Sequence, residues 1–237
     1  MFINYAHRGA SEYEPENTLR SFKRGLEMGA NGIETDVQIS ADGELVLFHD
    51  KTMLRVTGVD SAIADFTLEE LRVGFEVKNE KHPERTAKLS TLEELLNLCE
   101  PLSVELAVEL KADGTEKAVL DMIDSFGMKE RCIITSFDFT RLETVKRLDP
   151  SYKIGYLTDK ADEATVEKIK SIGGEQICPK ADILDKNTVG YLKAQGLSVR
   201  AWGVKTEEIM RAVYSYGVDG MTVNFPDKLT ELINESI

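Results

Sequence analysis

The sequence predicts an α/β fold, a TIM (β/α)8 barrel, and three observations carry this prediction. Apolar runs of strand length alternate eight times with amphipathic runs of helix length along the 237 residues. Several helical runs stop at a glycine just before the next strand, as consecutive right-handed βαβ units require. So many units in so short a chain disfavour a doubly wound sheet, and no Gly-x-Gly-x-x-Gly follows the first strand. The doubly wound sheet remains the alternative.

The predicted strands are short, apolar and rich in Val and Ile. They are Phe2–Ala6, Gly32–Val37, Val104–Lys111, Cys132–Phe137, Lys153–Leu157, Glu175–Cys178, Ser198–Val204 and Gly220–Val223. A helix candidate follows each strand.

The predicted helices begin at capping residues and end at glycine or proline. The first is capped by Asn17 or Thr18 and stops at Gly29, and the second, Thr91–Leu98, comes only after a long interruption. The others are Glu116–Phe126, Leu142–Leu148 capped by Asp138, Glu163–Ile172, Lys186–Gln195, Thr206–Tyr216 and a last helix after Pro226.

The interruption lies between the second strand and the second helix. It opens with a hairpin signal, Asp42-Gly43, and contains one helix candidate, Thr67–Arg72, and a charged loop over residues 78–85. We expect a small insertion over about residues 51–88, at one rim of the barrel. Residues 1–237 then form one catalytic domain.

Composition limits the possible partners. Lys and Arg number 29 against 42 Asp and Glu, so the formal charge of −13 disfavours nucleic acid and demands a local positive charge for any anionic substrate. No stretch is long enough to cross a bilayer, and no signal peptide is evident, so a cytoplasmic protein without membrane insertion is expected. Without a Cys-x-x-Cys pair, Cys99, Cys132 and Cys178 are predicted to be small buried side chains.

Pairs of charged residues lie at the ends of the second and third predicted strands. Glu34 and Asp36, like Glu109 and Lys111, have the i, i+2 spacing that places both side chains on one face of a strand. Because the carboxyl ends of barrel strands share one mouth, the three carboxylates should meet there. Like charges so close require a cation, and oxygen ligands favour Mg²⁺ or Ca²⁺. A surface salt-bridge cluster is the alternative.

Two of the three histidines lie beside these acids. His7 ends the first strand, and the hairpin should return His49 to the same mouth. Two imidazoles that titrate near neutral pH suit acid/base cleavage of a phosphoester, although a single histidine is more often a structural residue. Arg8 offers a planar fork for a phosphate, and Lys111 offers a point charge. His82, in the charged loop, is expected to be an ordinary surface residue.

Taken together, these residues resemble the signature set of the glycerophosphodiester phosphodiesterases. The motifs that carry the resemblance are His7-Arg8-Gly9, Pro15-Glu16-Asn17-Thr18, Glu34-x-Asp36-Val37, Asp42-Gly43, His49-Asp50 and Glu109-x-Lys111. The resemblance extends in order along the chain through Ser136-Phe137, Trp202 and Gly217-Val218-Asp219-Gly220.

The resemblance implies a barrel enzyme that hydrolyses diesters such as glycerophosphocholine and glycerophosphoethanolamine to glycerol 3-phosphate and an alcohol, with Ca²⁺ or Mg²⁺. It implies that Glu34, Asp36 and Glu109 bind the metal, that His7 and His49 are the acid/base pair, and that Arg8 and Lys111 contact phosphate. The nucleophile is either the glycerol 2-hydroxyl or water, and the sequence does not distinguish them.

Two positions near the mouth depart from the family pattern. Gly203-Val204-Lys205 stands where the family usually has Thr-Val-Asn, and Val223-Asn224 stands where it usually has Thr-Asp. The preferred alcohol is therefore open, as is the oligomeric state. Trp202 could bind substrate by stacking on a glycerol or a quaternary ammonium, or it could simply fill the barrel end.

Three other functions were weighed. A phosphodiesterase acting on intact lipids would need an exposed apolar rim, for which the insertion offers Phe66 and Phe75. A non-catalytic barrel that binds glycerol phosphates is disfavoured because every catalytic position is filled. A metal-dependent amidohydrolase is disfavoured because the first strand lacks a His-x-His pair.

Overall fold

The computed structural model describes residues 2–236. The strands of this part are β1 (Ile3–His7), β2 (Gly32–Ile39), β3 (Leu45–Leu47), β4 (Val77–Lys78), β5 (Thr86–Ala87), β6 (Glu105–Leu110), β7 (Cys132–Ser136), β8 (Lys153–Thr158), β9 (Gln176–Pro179), β10 (Ser198–Val204) and β11 (Gly220–Val223). The α-helices are α1 (Leu19–Glu27), α2 (Leu54–Thr57), α3 (Leu68–Gly74), α4 (Leu92–Cys99), α5 (Glu116–Ser125), α6 (Phe139–Leu148), α7 (Glu163–Ser171), α8 (Lys186–Ala194), α9 (Glu207–Ser215) and α10 (Pro226–Glu235).

Eight parallel strands close into a barrel in the order β1-β2-β6-β7-β8-β9-β10-β11. Closure comes from β1, which pairs with β11 on one side and with β2 on the other. The predicted (β/α)8 barrel is therefore confirmed, and the doubly wound sheet is wrong. Two registers matter for the chemistry, because they place His7 opposite Glu34 and Asp36 opposite Glu109.

The helices cover the barrel and bury a continuous apolar layer between themselves and the strands. In α1, Thr18 is the N-cap, and its hydroxyl accepts a hydrogen bond from the Ser21 amide. Phe22 on the same helix is fully buried. Asn17, the other capping candidate, instead donates a hydrogen bond to Asp36 in the barrel mouth. No helix among residues 2–236 is long and apolar enough to cross a membrane.

The elements between β3 and α4 form a small unit on one side of the barrel mouth. The short strand β3 pairs antiparallel with β2, so the hairpin at Asp42-Gly43 is present, and β4 and β5 form a separate ribbon. This unit has its own apolar cluster, made of Val46, Phe48, Met53, Val56, Ile63, Leu71, Val77 and Leu89. Phe66 and Phe75 pack edge to face against each other and onto this cluster. They therefore do not form the apolar rim that a lipid-active enzyme would need.

Most predicted element bounds differ from the observed ones by one or two residues. The third barrel strand ends at Leu110, so Lys111 follows the strand, although its amide still donates to the Val37 carbonyl at 3.0 Å. Glu105, at the bottom of the barrel, accepts a hydrogen bond from the Tyr5 hydroxyl. Cys99, Cys132 and Cys178 are buried free thiols, as expected.

Candidate active site

Three carboxylates meet inside the barrel mouth. Glu34 and Asp36 point inward from β2, and Glu109 lies opposite Asp36 on the neighbouring strand β6. One carboxylate oxygen from each lies within 4.8 Å of the other two. All three residues are buried, and Asp36 is completely so. The i, i+2 spacing of the sequence therefore brings together the side chains that were predicted to meet.

The charges around Asp36 keep it ionised. Burial alone would raise its pKa, but Lys111 Nζ lies 3.2 Å from Oδ1 and Arg8 Nε lies 3.1 Å from Oδ2, and these cations hold the pKa well below the usual range. Burial and the charge of Asp36 raise the pKa of Glu34 to about 8 and that of Glu109 to about 7. The cluster thus has one carboxylate held ionised and two whose protons a divalent cation could replace.

The cluster fits a hard divalent cation. Asp36 Oδ1 is buried and makes no hydrogen bond to any described residue, so it keeps a lone pair directed into the protein. The donor set consists of carboxylate oxygens without sulfur or imidazole, which is the set that Ca²⁺ and Mg²⁺ prefer.

Asn17 orients Asp36 and was missed as a site residue. It adopts a left-handed backbone conformation with φ of 54°, which asparagine tolerates better than most residues. Its Nδ2 donates to Asp36 Oδ2 at 2.9 Å, and its Oδ1 accepts from the Thr35 hydroxyl at 2.8 Å. The sequence placed Asn17 before a helix start, which equally suggests a cap, and within the motif Pro15-Glu16-Asn17-Thr18, which does not by itself assign it a partner.

His7 is held by the last barrel strand's loop. Its Nδ1 lies 2.6 Å from Asn224 Oδ1, and because an amide oxygen only accepts, Nδ1 carries the proton. Nε2 is then an acceptor, 3.8 Å from Glu34 Oε2. Burial and the neighbouring Arg8 lower the pKa of His7 to about 3. The imidazole of His7 is therefore neutral near pH 7, and Nε2 is its unprotonated nitrogen.

His49 is held by a carboxylate instead of an amide. Its Nδ1 lies 2.6 Å from Asp50 Oδ1, and burial lowers the pKa of His49 although Asp36 opposes this effect. Asp50 is itself bound by Arg55 of α2, at 2.6 Å. Arg55 also binds Glu16 at 2.6 Å, and Glu16 binds Arg8 at 3.0 Å. An unbroken row of ion pairs thus connects His49 to Arg8, and no motif or periodicity in the sequence points to the central Arg55.

A cavity of about 300 Å³, which we call the catalytic cavity, is lined by His7, Arg8, Glu34, His49 and Glu109. Its lining also includes the apolar side chains of Phe137, Leu157 and Trp202. The Phe137 and Trp202 rings pack edge to face at 5.0 Å, and the Trp202 indole N–H donates to the Thr158 carbonyl at 3.2 Å. Lys205, from the divergent segment, also lines the cavity. Trp202 is therefore held rigidly at the cavity wall.

The floor of the catalytic cavity is a buried arginine that sequence reasoning missed. Arg200 on β10 donates to the Thr222 hydroxyl at 3.2 Å and lies over the Tyr5 ring at 4.9 Å. Its positive charge offsets part of the negative charge of the carboxylates above it.

A larger open groove of about 720 Å³ lies outside the barrel between α7 and α8, and its lining contains no histidine.

Comparison with known proteins supports one family. The model of the glycerophosphoryl diester phosphodiesterase family matches residues 7–228. A glycerophosphodiester phosphodiesterase of Caldanaerobacter subterraneus subsp. tengcongensis is 32% identical, over 97% of each chain.

Solved structures agree with this similarity. A putative glycerophosphoryl diester phosphodiesterase from Silicibacter pomeroyi superposes with a TM-score of 0.89 at 27% identity, over 98% of this chain and 93% of that chain. A phosphodiesterase from Oleispira antarctica, in complex with the product sn-glycerol-3-phosphate, gives 0.87 at 27% identity, over 97% and 96%. With the family model covering nearly the whole barrel, the chain belongs to the glycerophosphoryl diester phosphodiesterase family.

Proposed function

We propose that this protein hydrolyses glycerophosphodiesters, such as glycerophosphocholine or glycerophosphoethanolamine, to glycerol 3-phosphate and an alcohol. The observation that carries the proposal is the buried cluster of Glu34, Asp36 and Glu109 beside two histidines that line the catalytic cavity. The product bound to the Oleispira antarctica relative supports the same chemistry. A cytoplasmic location stays a prediction from the sequence.

The three carboxylates would hold one Ca²⁺ or Mg²⁺. When bound, this ion supplies positive charge against the phosphoryl oxygens as negative charge develops on them. Its presence would also ionise Glu34 and Glu109, whose pKa values are raised without it. The oxygen ligands do not separate the two ions, so either one is compatible with the site.

The two histidines have different hydrogen-bond partners and therefore different catalytic roles. The amide of Asn224 leaves His7 neutral with a free Nε2, so His7 is the group that accepts the proton of the nucleophile, whether glycerol 2-hydroxyl or water. The carboxylate of Asp50 stabilises a positive charge on His49, so His49 is the group that delivers a proton to the leaving alkoxide.

The remaining basic groups orient and stabilise the phosphate. Arg8 and Lys111 both contact Asp36 and lie on two sides of the carboxylate cluster. Their charges let a protein of net charge −13 accept an anionic diester at this one place. Trp202, held against Phe137, offers an apolar surface to the alcohol portion.

The test is release of glycerol 3-phosphate by purified protein, measured with a coupled dehydrogenase. Chelator-treated protein should be inactive, and Ca²⁺ or Mg²⁺ should restore turnover. His7→Asn and His49→Asn should each lower kcat by about 10²- to 10⁴-fold, the usual contribution of an acid/base group. If metal-loaded protein binds glycerophosphodiesters without turning any of them over, a binding function replaces the proposal.

A further inference from the structure

The end of β10 carries an irregularity that changes which side chains face the barrel mouth. In the pairing of β10 with β11, Ala201 lies opposite Met221, whereas Val204 lies opposite Val223. The step from 201 to 204 therefore corresponds to the shorter step from 221 to 223, so β10 contains one extra residue, as in a β-bulge. Gly203 lies within this bulge with φ of 72°, a conformation that glycine adopts without strain.

The bulge turns Lys205 toward the catalytic cavity. Side chains of a regular strand alternate between its two faces, so Lys205 would otherwise share the outward face of Ala201, which lies in the apolar layer under the helices. With one extra residue the alternation shifts by one position. Val204 then packs in the apolar layer, and Lys205 lines the catalytic cavity together with Trp202.

Lys205 lies at the open end of this cavity. Phe137, which is 45% exposed, and Lys205 are the exposed residues of the lining, whereas its other described residues are buried or half-buried. The floor is closed by Arg200, of which only 1% is exposed. The alcohol is the variable part of a glycerophosphodiester and needs room to extend. We therefore expect the alcohol to project past Phe137 and Lys205.

The charges that line the cavity offer no partner to a cationic alcohol. Among the described residues, Glu34 and Glu109 are the only carboxylates of the lining, and both are proposed metal ligands. The other charged side chains of the lining, Arg8, Arg200 and Lys205, are positive. An anionic group on the alcohol would therefore meet attraction at the open end, and a cationic group would meet repulsion.

The carboxylates in the loops around the open end do not neutralise Lys205. Asp182 is bound by Lys180, and Asp113 is bound by Arg141 at 2.8 Å. Asp159 is exposed in the loop after β8 and does not line the cavity. Within residues 2–236 none of these three carboxylates forms an ion pair with Lys205. The ammonium of Lys205 is thus available to a ligand.

We propose that Lys205 favours diesters whose alcohol carries a negative charge, such as a carboxylate or a second phosphate, over diesters of cationic alcohols. This inference rests on the proposed function and narrows its substrate class. Diesters of choline and ethanolamine remain substrates but are hydrolysed less efficiently. The attraction amounts to one partly exposed ion pair, so it weakens as the salt concentration rises. Stacking of a quaternary ammonium on Trp202 would have the opposite effect, because it would favour choline.

The test uses diesters of glycerol 3-phosphate whose alcohols share a three-carbon chain and differ in charge: 3-hydroxypropanoate, propane-1,3-diol and 3-aminopropanol. The measured quantity is kcat/KM for release of glycerol 3-phosphate by metal-loaded protein. Its ratio between the anionic and the cationic diester is compared between proteins, so the intrinsic reactivity of each alcohol cancels. This ratio should fall by about fivefold in Lys205→Met and by about 25-fold in Lys205→Glu, which reverses the charge.

Two further comparisons identify the group that Lys205 recognises. Lys205→Arg keeps the charge and should keep the wild-type ratio. A diester of propane-1,3-diol monophosphate separates phosphate from carboxylate, because the anionic diester whose kcat/KM depends more strongly on Lys205 carries the preferred group.

Lys23→Met and Lys23→Glu are matched controls, since they change the net charge of the protein by the same amounts. Lys23 is exposed on α1 and does not line the catalytic cavity, so these variants should leave the ratio unchanged. An unchanged ratio in Lys205→Glu would overturn the inference, as would an equal loss for all alcohols or an equal change in Lys23→Glu. Absence of turnover by wild type on every diester would instead overturn the proposed function.

Discussion

Replacing Arg55 tests whether the row of ion pairs positions the acid/base residues. Arg55 binds Asp50 and Glu16 at 2.6 Å each and Glu80 at 2.9 Å, and 29% of its side chain is exposed. The pair with Glu80 contributes little, because that glutamate is 58% exposed. The other two are partly buried, charge-assisted hydrogen bonds. After a discount for exposure we expect Arg55→Met to cost roughly 2–3 kcal/mol, or roughly 4–12 °C in Tm.

The effect on catalysis should exceed what this loss of stability explains. Without Arg55, Asp50 can rotate, and His49 loses the partner that aims its Nε2 at the leaving group. Positioning groups of this kind are typically worth about 10–100-fold, so kcat should fall by that factor while KM changes little. Arg55→Lys, which keeps the charge but not the fork, should recover part of the stability and less of the kcat.

Arg72→Met is the control. Arg72 also joins the insertion to the barrel, through Glu94 at 2.8 Å, but it touches no residue of the site. Its loss should change Tm slightly and kcat by less than about twofold, since exposed pairs of this kind contribute about 0.2–1 kcal/mol. Steady-state kinetics give kcat, and thermal unfolding gives Tm, for the purified Arg55 and Arg72 variants. A normal kcat in Arg55→Met, measured below its Tm, would refute the positioning role.

Three further predictions concern the metal cluster and the barrel mouth. Asp36→Asn should weaken Ca²⁺ binding by at least about tenfold, because it removes the one carboxylate of the cluster that is ionised without metal. Calorimetry measures the affinity, and an unchanged value would exclude Asp36 as a ligand. In metal-free protein, Glu34 and Glu109 bind protons more tightly when folded than when unfolded, with pKa values of about 8 and about 7. Below about pH 6.5 the depressed pKa values of His7 and His49 act in the opposite direction, so the free energy of unfolding should fall as pH rises from about 6.5 to about 8. Saturating Ca²⁺ should remove this fall, and urea titrations showing a rise with pH in this range would contradict the prediction. Gly9→Ala should destabilise the protein by roughly 3 kcal/mol or more, because a Cβ there would lie 2.3 Å from the nearest atom of α1 at φ +84°. Gly43→Ala, at φ +88° with nothing within 4 Å, should cost only about 1 kcal/mol, and equal losses would rule out the steric explanation.

The barrel and its carboxylate cluster were predictable because both depend on local rules. In a (β/α)8 barrel, neighbours in the chain are neighbours in space, so β2 and β6 had to lie side by side once the insertion was set apart. Strand periodicity then placed Glu34 and Asp36 on the inner face, and the register placed Glu109 opposite Asp36. No knowledge of loop conformation was needed.

The groups that orient these residues were not predictable in the same way. Asn17 reaches Asp36 only because its backbone is left-handed, and nothing in the sequence distinguishes this conformation from that of a helix cap. Arg55 lies on the four-residue helix α2 of the insertion, a segment with no strong periodicity. Its partner Glu16 is 39 residues away in the chain, so only the folded insertion shows that they pair.

His7 shows why the site depends on closure of the whole barrel. Its strand β1 is the only one that joins the start of the sheet to its end, with β2 on one side and β11 on the other. From the β2 side His7 faces Glu34, and its Nδ1–H donates a hydrogen bond to Asn224 Oδ1 in the loop after β11, 217 residues away. The protonation state of His7 therefore depends on a residue that arrives only when the last strand has docked. A barrel that is open at this seam would keep its carboxylate cluster on β2 and β6 but would lose the partner that leaves Nε2 of His7 unprotonated.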